Sequence, residues 1–187
     1  MKKIILISLL LVSGWLSAGA VDLNKDNRDP QYVESIVKRS QKIVDKLGLT
    51  DVKVAEDVRN VIANRYFELN DIYEVRDAKV KKIKESGLSG AAKDDALKAA
   101  EYEKDAALYR SHFAYPANLS LFLDEKQIEV VKDGMTYGVV KVTYDATIDM
   151  IPSLKEEEKA QIYAWLIEAR EFALDAENSD KKHAAFG

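Results

Sequence analysis

A chain of 187 residues is long enough for one domain with a real core, and with no cysteine it has no disulfide to hold that core together. Its 28 basic side chains against 32 acidic ones give a net charge of −4, which disfavours nucleic acid and anionic lipid as partners. Three prolines and eight glycines suit long helices better than many turns.

The first 20 residues read as an export leader. Lys2 and Lys3 form a short positive stretch, residues 4–11 are apolar but for Ser8, and Ala18-Gly19-Ala20 offers the small-residue cleavage pattern. The apolar run is too short to span a bilayer. No cysteine follows it to carry a lipid anchor. The expectation is cleavage after Ala20 and a single helical domain over residues 21–187, periplasmic or secreted and without stable membrane insertion.

Asp29-Pro30 is a helix start, an N-cap carboxylate followed by proline at the first helical position. From Tyr32 to Leu47 apolar residues recur at three- and four-residue spacing, and Gly48 suits the helix end. Thr50 or Asp51 opens the longest helix, over residues 51–86. Val58, Ile62, Tyr66, Leu69, Tyr73, Val80 and Ile83 form its apolar stripe, with Asp57, Asn60 and Asn64 on the opposite, wet side. Such a helix runs about 54 Å at 1.5 Å per residue and needs a partner along its length. The alanine-rich stretch over residues 91–112 supplies one, so a long antiparallel hairpin is expected.

Pro116 should bend or break the third helix. Asp124 with Gln127 makes a capping box for a short helix ending at Gly134. Residues 138–151 mix β-branched residues with helical spacing and read as an extended start followed by a short helix. Ser153 and Glu156 read as the capping box of the last strong helix, and Ile162 to Ile167, apolar all round, should lie centrally in the core. The fold expected is an all-α bundle of five or six helices. The chain's end at Phe186-Gly187, just after Lys181-Lys182-His183, suggests a shortened form of a longer protein.

The chemistry on offer is thin. His112 and His183 are the only histidines, and neither a zinc nor an EF-hand spacing occurs, so no metal or cofactor is expected. No serine sits in a nucleophile elbow, and Gly87-Leu88-Ser89-Gly90 lacks the lysine of a phosphate loop. No catalytic residue is assigned. Arg65 and Arg76, eleven apart on the long helix, read first as partners for carboxylates of a neighbouring helix, and second as donors to a polar ligand. Tyr137, Tyr144, Tyr163 and Trp165 cluster in the last third, where aromatic faces beside polar groups could stack on sugars or simply fill the core.

Five segments resemble one family. They are Leu69-Asn70-Asp71-Ile72, Arg76-Asp77-Ala78-Lys79, Lys132-Asp133-Gly134-Met135-Thr136-Tyr137-Gly138-Val139-Val140, Met150-Ile151-Pro152-Ser153-Leu154 and Ala164-Trp165-Leu166-Ile167-Glu168-Ala169-Arg170-Glu171. The family is an uncharacterised one of secreted bacterial helical proteins, a domain of unknown function suggested to bind sugars. The resemblance implies a carbohydrate role and no catalytic residue. The resulting expectation is an exported, non-catalytic carbohydrate-binding or polysaccharide-utilisation accessory protein. Its ligand contacts would be Asn70, Asp71, Arg76, Asp77, Tyr137 and Trp165. A chaperone-like protein that holds partner chains is the first alternative, and a polysaccharide hydrolase or lyase the second.

Overall fold

A computed structural model describes residues 20–186. The segment read as a leader lies, save for Ala20, outside the described residues. These form eight helices and no strand: α1 (Pro30–Val44), α2 (Val52–Glu85), α3 (Gly90–His112), α4 (Ala114–Leu119), α5 (Glu125–Met135), α6 (Val139–Met150), α7 (Glu156–Leu174) and α8 (Ser179–Ala184). The all-α class and the α2–α3 hairpin stand as expected. Among the described residues no helix is long and apolar enough to cross a membrane.

The helix starts follow the capping chemistry. Asp29 accepts from the Gln31 and Tyr32 amides at 2.8 and 2.9 Å, with Pro30 at the first helical position. Asp51 accepts from the Lys53 and Val54 amides in the same way. At α5 the box is reciprocal: Asp124 accepts from the Gln127 amide at 2.8 Å, and the Gln127 side chain accepts from the Asp124 amide at 3.1 Å. α3 ends at His112, and Pro116 sits in the first turn of α4, where its missing N–H leaves no bond unmade. The six-residue helices α4 and α8 raise the number above five or six.

The core lies where α1, the first half of α2, α4 and α5 meet. Val58, Ile62, Phe67, Leu119, Val131 and Met135 are fully buried there. Gly134 falls inside α5 instead of ending it. A Cβ at that position would stand 2.9 Å from Ile43 Cγ1, so the missing side chain lets α5 sit directly on α1. The left-handed turn after α5 is made by Tyr137 and Gly138, at φ 60° and 68°.

Three expectations are corrected. Residues 139–150 are helical from the start, because the β-branched run costs only tenths of a kcal/mol per residue and α7 packs alongside. And α7 is not central. Its buried side chains are Leu166, Arg170, Ala173 and Leu174, while Trp165 is 60% exposed and Tyr163 and Phe172 also face outward. Its amino end is set by Glu158, which accepts from the Lys155 amide at 2.8 Å, and not by Ser153 with Glu156. Arg170 anchors α7 to α5 by reaching Asp133 at 2.6 Å and also Glu129.

Candidate functional site

Ahead of α1, residues 21–28 lie along α2 as a strap. Positions 57, 60 and 64 share one face of that helix. Asp57 accepts from the Val21 amide at 2.7 Å, and Asn60 donates to the Val21 carbonyl at 2.7 Å. The Asn64 amide donates to the Asp22 carbonyl and accepts from the Asn24 amide, both at 2.8 Å. Two turns on, Asp71 takes both arms of the Arg28 guanidinium at 2.7 Å, and that guanidinium lies 4.6 Å over the Phe67 ring.

The next stripe of α2 binds the far helices. Arg65 is buried and reaches Glu68 at 2.6 Å, the Ser111 hydroxyl at 2.8 Å and Asp175 at 2.5 Å. Asp175 also meets His112 Nδ1 at 2.8 Å, and its carbonyl accepts from the Tyr73 hydroxyl at 2.8 Å. One carboxylate at the end of α7 thereby ties α2, α3 and α7 together. The reading of Arg65 and Arg76 as partners of neighbouring carboxylates agrees with this, since Arg76 bonds Asp77, Glu101 and Glu177.

Between strap, α2, the end of α3 and α4 opens a cleft of about 1080 Å³. Val61 and Ile72 of α2, Tyr115 of α4, and Leu121 and Phe122 after it give apolar wall. Glu68, Asp71, Arg110 and Asn118 give the polar groups. Tyr115 is buried with its hydroxyl 3.0 Å from Met135 Sδ, and burial pushes its ionisation well above the ordinary tyrosine range. Glu68 and Asp71 each face an arginine, Arg65 and Arg28. Arg110 and Asn118 are exposed, and among the described residues neither side chain has a hydrogen-bonding or ionic partner. A second cleft of about 520 Å³ continues along the hairpin and shares Asp71, Ile72, Ala107 and Arg110 with the first. Its other cations, Arg76, Lys79 and Lys104, are all paired with carboxylates.

The six residues expected at the site do not gather round one cavity. Asp71 lines both clefts and Arg76 the second. Asn70 is turned to Glu74 at 2.8 Å, and Asp77 is an exposed partner of Arg76. Tyr137 stacks on His183 with ring centres 5.5 Å apart, Trp165 stands out on α7, and neither lines a cleft. Glu68, Arg110, Asn118 and Phe122 are the cleft residues that sequence reasoning missed. Arg110 sits in an alanine-rich run with nothing around it to mark a site. Among the described residues no group of three or more metal-ligating side chains converges.

Fold and cleft define the class: an all-α protein with an open site walled by helices. The family model described as a protein of unknown function, DUF3826, matches residues 33–187, and the chain belongs to that family. No curated protein matches it. The strap precedes the matched span, whereas all its partners on α2 lie within it.

Proposed function

We propose that the protein is exported and binds a carbohydrate, without transforming it, in the cleft between α2, α3 and α4. One observation carries the reading. Arg110 and Asn118, both without partners among the described residues, converge with Glu68 on a cleft whose other walls are Leu121, Phe122 and Ile72. A sugar needs both halves of that surface, apolar faces for its C–H groups and fixed donors and acceptors for its hydroxyls. Arg110 adds a preference for saccharides that carry an acidic group, because a guanidinium takes a carboxylate with two parallel hydrogen bonds. The non-catalytic part rests on Glu68 and Asp71, the two carboxylates of the cleft, each already ion-paired to an arginine, whereas a glycosidase needs two carboxyl groups turned to the scissile bond from either side. Export rests on the leader-like first 20 residues.

A calorimetric screen of neutral and acidic oligosaccharides, with product analysis of the same samples, tests this. The expected result is saturable binding without new products, weakened about tenfold or more by Arg110→Ala or Asn118→Ala at unchanged thermal stability. Binding indifferent to both substitutions would place the site elsewhere. A protein-binding role draws support from another place: Val142, Met150, Trp165 and Phe172 leave α6 and α7 with exposed apolar side chains. Photocrosslinking from position 172 in the producing cell would trap such a partner, and a clean chain would count against it.

A further inference from the structure

Asp57 is a carboxylate in an awkward place. It is 4% exposed, and among the described residues its one hydrogen bond comes from the Val21 backbone nitrogen at 2.7 Å, with no lysine, arginine or histidine paired to it. A buried carboxylate served by a single neutral amide is costly, and a fixed cation beside it removes that cost.

We propose that the chain is cut between Ala20 and Val21 and that the α-ammonium so created becomes the counter-ion of Asp57. Three observations meet at this nitrogen. It belongs to the C-terminal side of the bond that the Ala18-Gly19-Ala20 pattern marks for cleavage. It is held in place independently of Asp57, because Asn60 grips the Val21 carbonyl and Asn64 grips Asp22 and Asn24. And the Val21 side chain packs against the core, so the residue is seated on both sides. The step is a peptide hydrolysis by a leader-removing protease. Water gives its hydroxyl to the Ala20 carbonyl carbon and a hydrogen to the Val21 nitrogen, and the freed amine takes a proton from solvent. One N–H donor becomes three, with a positive charge, at the spacing of a charge-assisted bond.

The consequence reaches the cleft. Ala20 and Val21 both line it, so removal of everything before Val21 leaves an ion-paired Val21 as its end wall. The cleft then takes its final form only after processing. This inference rests on cleavage after Ala20, which belongs to the export reading, and not on which ligand the cleft accepts.

The test begins with intact-mass analysis of the protein from a host that exports it, which should show a chain starting at Val21. A different first residue overturns the proposal. That chain keeps all eight helices and the core, so its folding can be measured directly. Acetylating the Val21 amine should lower the folding equilibrium constant by about tenfold or more, since Asp57 then stays buried without its counter-ion. In an Asp57→Asn chain the same acetylation should change it by less than about twofold, because the carboxylate that the amine compensates is gone. Equal losses in both backgrounds overturn the proposal. Should Asp57→Asn fail to fold in either form, the unaltered chain decides. Its α-amine should react with an acylating reagent about tenfold or more slower when folded than in denaturant, and equal rates overturn the proposal. A failed sugar titration leaves all of these readouts where they are.

Discussion

The two halves of α2 share one helix and one apolar period, yet they are held in different ways. From Val52 to Leu69 the helix buries Val58, Ile62, Tyr66 and Phe67 against α1 and α4 and carries the strap on another face. Beyond Leu69 none of its residues is buried, although Ile72, Tyr73, Val80 and Ile83 continue the stripe. There the partner is α3, whose alanines are too small to cover it. Cross-helix ion pairs do the fastening, Arg76 to Glu101 and Lys79 to Glu103. Periodicity tells which face turns inward, but the partner's side chains decide how much of that face leaves water. Stability therefore concentrates at the strap end, and the hairpin tip adds little.

The sharpest way to break that comparison is a pair of truncations. Phe67→Ala should cost about 3–5 kcal/mol by urea denaturation, whereas Val75→Ala, 56% exposed on the distal half, should stay within about 0.5 kcal/mol. Comparable losses would show that the tip contributes as much as the core. Next comes Arg65→Ala, which leaves the partly buried Asp175 carboxylate with His112 as its one side-chain hydrogen-bond partner among the described residues. With the bonds to Glu68 and Ser111 also lost, it should cost about 3 kcal/mol and loosen α7 along with α3.

A pH series sharpens the picture at the α7–α8 junction. Lys182 is buried with its ammonium 2.8 and 2.9 Å from the Ala173 and Leu174 carbonyls, and burial pushes it down to about 8, against the pull of Asp175. Arg65 and Arg39 add to the lowering. As pH rises from about 8 toward 10, the unfolded chain still binds the proton that folded Lys182 has released, so this residue's contribution to stability should increase by roughly 2 kcal/mol. Above pH 10 Tyr66 and Tyr115, both pushed up by burial, turn the curve down again because the unfolded chain ionises first. The stability of the unaltered chain less that of Lys182→Met isolates this residue, because an ammonium at Val21 acts alike in both; the difference should rise between about pH 8 and 10, and a flat difference would refute the assignment. Smaller still, Gly134→Ala should cost about 1–2 kcal/mol by forcing a methyl group against Ile43, and much of that cost should vanish in an Ile43→Ala background, which removes both γ-carbons the methyl group would meet.

Much of the fold was legible because its signals are local. Asp29-Pro30, Asp51 and the Asp124–Gln127 box each mark a helix start that depends on nothing distant. α6 was harder to read, since Val139, Val140, Val142 and Thr143 lean toward strand by a margin that packing on α7 overrides. The apolar residues of α7 looked central, but apolarity all round does not say whether a neighbour exists for each face. The strap was invisible for a related reason. Asp57, Asn60 and Asn64 look the same on a wet face as on a face that holds an extended chain. The cleft was only partly legible: Asp71 was in view, but Arg110 and Asn118 come from α3 and α4, and only the tertiary fold brings them opposite α2.

The site proposed for ligand is the α2–α3–α4 cleft and not the exposed aromatic face of α7. Backbone hydrogen exchange with and without the tightest oligosaccharide from the screen tests it most directly. Binding there should slow exchange only at residues 60–72 and 107–122, with residues 139–174 unchanged. Slowing centred on residues 139–174, round Trp165 and Phe172, would contradict it.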